Sequence, residues 1–240
     1  MRDATNIPMS DSQAPDIRAL PLFSDMADEN FEALMRGAYI QNFPPQIELI
    51  SEGDPSDFLH VVLTGTVELF ASWNNRDTTM AVVRPVSTFI VAATVKDAPY
   101  LMSARTLEKS RIALLPSSDV RTIFNEDRGF ALSVVTELAR CYRAVVKNTK
   151  DLKLRTSIER LANYLLRQQI GAGGDNEFTL RIEKRKLASQ LGMTPENLSR
   201  AIKSLHPYGV TISGTTVLIS DQHELERIAK PSPLIDNPFT

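Results

Sequence analysis

The stretch Lys186-Leu-Ala-Ser-Gln-Leu-Gly-Met-Thr-Pro-Glu-Asn-Leu-Ser-Arg-Ala-Ile-Lys-Ser-Leu205 predicts a helix-turn-helix. Gly192 suits a left-handed turn, which only glycine adopts at little cost. Thr194 is a good N-cap, and Pro195 fits the first position of a second helix. Apolar residues recur at helical spacing on both sides of the turn, at Leu187, Ala188, Leu191, Leu198, Ala201, Ile202 and Leu205.

Three polar residues fall on the opposite, exposed face of the second helix, near its N-terminus: Glu196, Ser199 and Arg200. A recognition helix presents this end to the bases in the major groove. Arg200 can donate to guanine O6 and N7, Glu196 can accept from cytosine N4, and Ser199 can contact a thymine or a phosphate. The alternative is a pair of packed helices with a solvated polar face.

The same residues carry a family resemblance. Glu196-Asn-Leu-Ser-Arg200 resembles the E-x-x-S-R signature of the recognition helix in the cAMP receptor protein and fumarate–nitrate reduction regulator (Crp/Fnr) superfamily. The resemblance runs from about Leu20 to about Ile219. It implies a dimeric transcription regulator that binds double-stranded DNA at an inverted repeat with TTGA-like half-sites. RNA polymerase is then the expected protein partner.

Charge is distributed unevenly along the chain. Residues 1–140 hold 12 Lys and Arg against 19 Asp and Glu, a net of −7, whereas residues 141–240 hold 15 against 10, a net of +5. A basic half is typical of a segment that meets nucleic acid. We expect the cations beside the helix-turn-helix to contact DNA phosphates, namely Lys184, Arg185, Lys186 and Lys203.

Composition and local patterns suggest a cytoplasmic protein that makes no contact with a membrane. The 240 residues contain one cysteine, which excludes an internal disulfide, and no apolar run long enough to span a bilayer. The polar N-terminus lacks the apolar core of a secretion signal. We predict a flexible tail over 1–15, a sensor domain over 16–128, a dimerisation helix and hinge over 129–154, a DNA-binding domain over 155–230, and a Pro-rich tail over 231–240.

Short β-branched and aromatic runs separated by turn residues fill the region from Phe43 to Pro116. This texture predicts a small antiparallel barrel or sandwich, and the resemblance implies a β-roll of the cyclic-nucleotide-binding type. Near the C-terminus, Val210–Ile212 and Thr216–Ile219 flank Ser213-Gly-Thr215, a predicted hairpin that resembles a wing. The expected fold class is α+β, with an N-terminal roll, a long helix and a winged helix-turn-helix.

The long helix is predicted from an apolar stripe between Phe130 and Leu152 that alternates by three and four residues. An ordinary buried helix would give a similar stripe. We favour a homodimer seam, because helix-turn-helix readers commonly bind as two-fold dimers. The predicted seam residues are Val134, Leu138, Cys141, Val145 and Leu152.

The resemblance also locates an effector pocket. Cyclic-AMP-responsive members hold the ribose and phosphate with a Gly-Glu pair and an Arg-Ser pair. Here Val91 and Ala92 take the first positions, Met102 replaces the arginine, and Ser103 is retained. Hydroxyl residues on the dimer helix map to Val145 and Val146. An apolar wall cannot compensate a buried phosphate charge, so we expect an effector other than cAMP in a pocket lined by Phe89, Val91, Ala92, Met102, Ser103 and Val146.

Other effector chemistries stay open at this point. An iron–sulfur cluster is not expected, because one cysteine cannot supply four thiolates and residues 1–30 contain none. Haem is an alternative, with His60, Met102 and Cys141 as candidate iron ligands. A redox switch between two copies of Cys141 is another.

Two rival classes of function remain. A metal-dependent β-barrel oxygenase would need clustered histidines and carboxylates, whereas the three histidines stand far apart at positions 60, 206 and 223. A ligand-binding or docking subunit could carry the helix-turn-helix as a purely structural element. We expect no enzymatic activity.

Overall fold

A computed structural model describes residues 7–8, 17–74, 76–180 and 182–237. The chain divides into two compact units, residues 1–141 and 142–240, and one long helix runs through the boundary. No helix in the described part of the chain has the length and apolarity needed to cross a bilayer.

The first unit is built on two antiparallel sheets. Its strands are β1 (Ile7–Pro8), β2 (Tyr39–Phe43), β3 (Glu48–Ile50), β4 (Phe58–Thr64), β5 (Val67–Trp73), β6 (Arg76–Val83), β7 (Ser87–Phe89), β8 (Ser103–Thr106) and β9 (Ser110–Pro116). One sheet has the order β1-β2-β9-β4-β7 and the other β3-β8-β5-β6. The expected antiparallel β-roll is therefore present.

Strand β4 is buried on both faces, which explains its continuous apolar run. Leu59 and Val61 pack against the helices of this unit, while Val62 faces the interior of the roll. Successive strand side chains point to opposite faces. The interior also receives Phe89 and Ile112 from neighbouring strands.

Among the described residues of this unit, the helices that accompany the sheets include α1 (Asp28–Gly37), α2 (Val91–Lys96), α3 (Ser117–Glu126) and the start of α4 (Arg128–Leu154). The buried Asp127 joins two of them. Its carboxylate accepts from Phe130 N at 2.9 Å, which caps α4, and from Ala27 N at 2.8 Å beside α1. Side-chain capping of this kind satisfies N–H groups that have no partner inside the helix.

The second unit contains the C-terminal half of α4 and a three-stranded sheet in the order β10-β12-β11. Its remaining elements are α5 (Ser157–Gly171), β10 (Glu177–Thr179), α6 (Lys184–Gln190), α7 (Pro195–Leu205), a 3-10 turn (His206–Tyr208), β11 (Val210–Ser213), β12 (Thr216–Ile219), α8 (Gln222–Ala229) and α9 (Pro233–Asp236). Fully buried Leu161, Leu165 and Leu205 lie in its core. The predicted α+β class, with a roll, a long helix and a helix-turn-helix, is confirmed.

Both predicted tail segments contain short ordered elements. Ile7–Pro8 pairs with Tyr39–Ile40 as β1, although the rest of the predicted tail over 1–15 lies outside the described residues. At the other end, Pro233–Asp236 forms α9 and makes ion pairs; residues 238–240 lie outside the described part. Short helices with side-chain anchors leave little trace in sequence periodicity.

Candidate nucleic-acid interface

The helix-turn-helix is formed by α6 and α7. Gly192 in the turn has φ +62°, the left-handed conformation that its sequence position predicts. Thr194 caps α7 by accepting from Asn197 N at 3.3 Å, and Pro195 occupies the first turn of the helix. Leu198, Ala201 and Leu205 are buried beneath the helix. The apolar stripe therefore fixes which face of α7 is presented to solvent.

The exposed face of α7 carries Glu196, Ser199 and Arg200, which are all solvent-exposed. Hydrogen bonds from its own backbone N–H and from Thr194 lower the pKa of Glu196, so its carboxylate is ionised at neutral pH. Ser199 Oγ donates to Pro195 O at 2.9 Å, a bond that a DNA acceptor would have to replace. The arrangement offers an acceptor, a hydroxyl and a guanidinium within two helical turns.

The four candidate phosphate-binding cations lie around this face. Lys184 and Arg185 in α6 and Lys203 in α7 are exposed. Lys186 is half-buried and makes an interaction within the chain. Its ammonium is therefore the least available of the four to a phosphate.

A hairpin follows the two helices. Strands β11 and β12 pair from Val210↔Ile219 to Ser213↔Thr216, and the turn between them has φ +61° at Gly214. Ser213 and Thr215 are exposed. This is the geometry expected of a wing beside a recognition helix.

Buried Arg160 fastens the turn of the helix-turn-helix to the start of α5. Its Nε donates to Leu191 O at 2.9 Å, and its Nη1 donates to Arg155 O at 2.6 Å. Arg160 could not be identified from the sequence, because its partners are backbone carbonyl groups 31 and 5 residues away. A buried arginine of this kind has no signature in local spacing.

Comparison with known proteins agrees with this geometry. Residues 40–127 match the family model of the cyclic nucleotide-binding domain, and residues 159–228 match that of the Crp-like helix-turn-helix domain. The chain belongs to the Crp/Fnr family of transcriptional regulators. Like other members with this helix-turn-helix, it is a DNA-binding protein and not an enzyme.

Related Crp/Fnr proteins align along most of their length. A CRP-like cAMP-activated global transcriptional regulator of Mycobacterium tuberculosis is 24% identical over 215 residues, which is 87% of this chain and 96% of the relative. The cyclic AMP receptor protein of Thermus thermophilus is 24% identical over 218 residues, 89% and 98% of the two chains. The structure of FixK2 from Bradyrhizobium japonicum shares the fold, with a TM-score of 0.69, 21% identity, and coverage of 81% and 98%.

The Crp/Fnr assignment removes the metal-dependent oxygenase as an alternative. In the described residues, no three His, Cys, Asp or Glu side chains lie close enough together to hold a metal ion. His206 and His223 are exposed in the second unit, while His60 is buried in the first.

The predicted effector pocket of this Crp/Fnr protein is only partly assembled. Phe89 and Met102 pack in the interior of the roll, but buried Val91 packs with the helices outside it and Ala92 is exposed. These four side chains therefore have different surroundings in the described residues. In a continuous strand, Phe89 and Val91 would lie on the same face. Here the strand ends at Phe89 and α2 begins at Val91, directly after Ile90, whose backbone is left-handed.

Two further predicted pocket residues have other surroundings. Ser103 is buried, and its Oγ accepts from Glu52 N at 2.9 Å, so the hydroxyl anchors a loop. Val146 is 39% exposed on the C-terminal half of α4, in the second unit.

The arginine nearest in sequence to Met102 faces away from the interior. Arg105 follows Ala104, which is buried inside the roll, and therefore points to the opposite face of β8. Its Nε donates to the buried carboxylate of Glu68 at 2.8 Å, and its guanidinium lies 4.1 Å from the Phe70 ring centroid. Arg105 is thus committed to an ion pair and a ring contact.

The three candidate haem ligands are not all in one place. His60 is buried and stacks on Phe89 with ring centroids 5.0 Å apart, and Met102 packs at the same interior. Cys141 is exposed on α4. His60 and Met102 therefore share an interior that Cys141 does not enter.

The surroundings of Cys141 also disfavour a redox switch. Partial burial and the carboxylate of Glu137, which accepts from Sγ at 3.6 Å, raise the pKa of the Cys141 thiol. Because the thiolate is the reactive form, a raised pKa slows oxidation.

The α4 helix displays an apolar stripe, but it is displaced from the predicted seam. Val134 is fully buried in the core of the first unit, and Leu138 packs partly against that core. The assignment of Val134 to a dimer seam was therefore wrong, because this side chain already fills its own unit. Leu152, 41% exposed, lies next to the turn of the helix-turn-helix.

Exposed apolar residues instead recur one position later along α4. Leu132, Val135, Tyr142 and Val146 are 64, 55, 70 and 39% exposed, and the small exposed Ala139 lies between them. Their spacing of 3, 4, 3 and 4 residues is that of a coiled-coil stripe. Val145 is exposed beside this stripe, at 63%.

Proposed function

We propose that this Crp/Fnr protein acts as a homodimer that reads an inverted repeat with TTGA-like half-sites. The observation that carries the proposal is the exposed face of α7, where Glu196, Ser199 and Arg200 stand together above a buried apolar stripe. Arg200 would pair with the guanine of the half-site, and Glu196 would accept from a cytosine of the complementary strand. Lys184, Arg185 and Lys203 would contact phosphates.

Selection of bound sequences from a random double-stranded library tests the sequence preference. We expect an inverted repeat with a G·C pair at the position that Arg200 reads. Arg200→Ala should cost about 1–3 kcal/mol per half-site and relax the preference at one base pair of each half-site. Enrichment of repeats that lack a G·C pair at that position would contradict the assignment.

The homodimer would form through the exposed stripe Leu132, Val135, Ala139, Tyr142 and Val146. Two facts support this surface: its heptad spacing, and its exposure of large apolar side chains that water would otherwise solvate. Two-fold pairing of α4 would supply the two recognition helices that an inverted repeat requires.

The effector is proposed to be a molecule other than cAMP. The related regulator from Mycobacterium tuberculosis is cAMP-activated, but the cyclic phosphate needs a cationic or N–H-rich cradle. In this chain Met102 is apolar and Arg105 is paired with Glu68 on the other face of its strand. We further propose that the dimer works in the cytoplasm and contacts RNA polymerase there, because its target would be chromosomal DNA.

A further inference from the structure

The C-terminal segment Ser232–Asn237 follows the residues that match the family's helix-turn-helix model, which end at position 228. It lies against α4 and α5 instead of extending into solvent. Lys147 Nζ on α4 donates to Asn237 O at 2.7 Å. Ser232 N donates to the Asp236 carboxylate at 2.7 Å, which closes α9 on itself.

Asp236 is the centre of an ion-pair network. Arg155 donates to it with both terminal nitrogens, at 2.8 and 2.5 Å, and Arg167 Nη1 donates at 2.7 Å. Arg155 also donates to Asp151 at 2.8 Å. The side chains of Arg155, Asp151 and Asp236 are only 7, 11 and 13% exposed, so solvent screens these pairs weakly. A bidentate arginine–carboxylate pair also fixes the relative orientation of its two groups.

These residues lie at the corner between α4 and α5. Asp151 belongs to the last turns of α4, Arg155 lies between the two helices, and Arg167 is on α5. One carboxylate from the C-terminal segment therefore holds both sides of the corner. Asp151, at the end of the predicted helix and hinge, and Arg155, directly after it, are therefore held by ion pairs.

The corner is also connected to the DNA-reading element. Arg155 O accepts from Arg160, whose Nε donates to Leu191 O. Leu191 immediately precedes the turn between α6 and α7. A chain of three polar contacts thus runs from Asp236 through Arg155 and Arg160 to the helix-turn-helix.

We propose that Ser232–Asn237 is an intramolecular brace that fixes the α4–α5 corner, and that Asp236 is a positioning residue for DNA recognition. The proposal rests on the proposed dimeric function. In a dimer joined along α4, the angle at this corner sets the distance between the two recognition helices. Half-site spacing is a geometric property of such dimers, so a rigid corner would make binding sensitive to spacing.

The test uses the full-length protein with Asp236→Asn, which keeps the size of the side chain and removes its charge. Asp236→Glu serves as the conservative variant, and Asp175→Asn changes the charge of an exposed residue of the same unit. Arg167→Gln removes one arm of the network and is a second route if Asp236→Asn folds poorly.

Hydrogen exchange measures local opening at the α4–α5 corner directly, and it does not depend on DNA binding. We expect Asp236→Asn to speed amide exchange over residues 151–156 by roughly tenfold or more, because Arg155 keeps only its pair with Asp151 and loses the carboxylate that ties it to the C-terminal segment. Protection within α7 should be unchanged. Asp236→Glu and Asp175→Asn should resemble the parent protein. Unchanged exchange at the corner in both Asp236→Asn and Arg167→Gln would overturn the brace.

DNA binding then tests whether Asp236 helps to position the two recognition helices. Inverted repeats are prepared with the half-sites moved closer or further apart by one and two base pairs. The parent should prefer one spacing by roughly tenfold or more, whereas Asp236→Asn should lose most of that preference and keep its affinity for a single half-site. If corner exchange rises but the spacing preference is retained, Asp236 is not a positioning residue. If the parent binds no DNA, the proposed function fails, while the exchange result still decides the brace.

Discussion

Leu152, near the end of the long helix α4, contacts Gly192 in the turn of the helix-turn-helix. A Cβ atom added to Gly192 would lie 2.7 Å from Leu152 Cδ2, closer than such atoms approach in folded proteins. Gly192 is therefore required twice, once for its left-handed backbone and once for the space that Leu152 fills. The last turn of α4 and the DNA-reading turn are in direct contact within the second unit.

Gly192→Ala is expected to destabilise the second unit by more than the backbone strain alone. A non-glycine residue in this conformation costs roughly 1–2 kcal/mol, and the clash with Leu152 adds to it. Gly214→Ala is the matched control, since Gly214 has φ +61° with no atom within 4 Å of the added Cβ. Thermal or urea unfolding of both variants gives the difference. Equal losses would mean that Leu152 moves aside freely.

A second variant isolates the contact. Leu152→Ala in the Gly192→Ala background should recover part of the lost free energy of unfolding, because the methyl group that meets the new Cβ is gone. It should recover nothing in the Gly214→Ala background. Additive effects in both backgrounds would show that the two residues are not coupled.

The recognition helix could be predicted well from the sequence, because the signals that mark it lie within a few neighbouring residues. Thr194, Gly192 and the stripe beneath α7 each follow from backbone rules over a few residues. The predicted seam included Val134 because α4 carries two apolar stripes in its first half, and only the packing of Val134 in the core of the first unit distinguishes them. Periodicity reveals a stripe but not the surface that it meets.

Contacts between distant segments could not be predicted at all. Arg155 and Asp236 are 81 residues apart, and neither stands in a recognisable motif. The surroundings of Val91 could not be predicted for a related reason. The resemblance placed Val91 in a pocket wall, but Val91 follows Ile90, whose backbone is left-handed, and packs with the helices outside the interior of the roll. Such features depend on tertiary packing and single backbone angles.

The position of the dimer surface gives a second prediction. Tyr142→Glu and Val135→Lys each place a charge in the proposed interface, where an unpaired charge is strongly unfavourable. Both should yield monomers that remain folded, because the two side chains are 70 and 55% exposed in the single chain. Light scattering measures the mass, and circular dichroism the fold.

Two controls separate the displaced stripe from the one first predicted. Ala144→Lys adds a charge to exposed surface on the opposite side of α4 and should leave the dimer intact. Val134→Lys should instead lower the stability of the first unit, because Val134 is fully buried. An unchanged dimer in both Tyr142→Glu and Val135→Lys would place the interface elsewhere.

Cyclic AMP provides a third prediction. At millimolar concentration it should produce no binding heat and no change in DNA affinity, because Arg105 is held by Glu68 and Met102 offers no charge. Calorimetry and fluorescence anisotropy measure the two quantities. The cAMP-activated relative from Mycobacterium tuberculosis serves as the positive control. Micromolar binding to this chain would require a phosphate cradle from other residues.

Buried His60 gives a fourth prediction, on the pH dependence of stability. Loss of hydration lowers its pKa to about 4, and an interaction with the Phe58 backbone opposes this by a smaller amount. Its Nδ1 has no hydrogen-bond partner among the described residues. In the unfolded chain the pKa returns to about 6.5. His60 is therefore neutral in the folded protein at pH values where the unfolded chain binds a proton.

The direction of the pH dependence of stability follows from this difference in pKa between the folded and the unfolded protein. The stability contributed by neutral His60 is complete above pH 6.5 and is lost as the pH falls towards 4. Between pH 7 and 5 the parent should lose about 2 kcal/mol more than His60→Gln, measured by urea unfolding. His206→Gln, which changes an exposed histidine, should keep the dependence of the parent. Identical slopes for the parent and His60→Gln would mean that His60 is protonated without opening the roll.

The last prediction separates cations that position the protein on DNA from the residues that read the bases. Arg185 and Lys203 are exposed beside the reading face. Each phosphate contact releases counterions, so Arg185→Ala or Lys203→Ala should weaken binding to matched and scrambled sites about equally. Because the homodimer carries two copies of each residue, the slope of the log–log dependence of affinity on salt should fall by roughly two units for each substitution, one per protomer. Arg200→Ala should instead weaken the matched site selectively, because a bidentate contact to guanine is lost only there.

Lys186→Ala distinguishes the half-buried cation from its exposed neighbours. Because Lys186 already has an interaction within the chain, its removal should change the salt slope less than Arg185→Ala does, and should lower thermal stability more. Anisotropy titrations over a range of salt, on matched and scrambled duplexes, measure every variant. If Arg185→Ala and Lys203→Ala weakened only the matched site and left the slope unchanged, these residues would read sequence, and the assignment of base-reading to α7's Glu196–Arg200 face alone would have to be withdrawn.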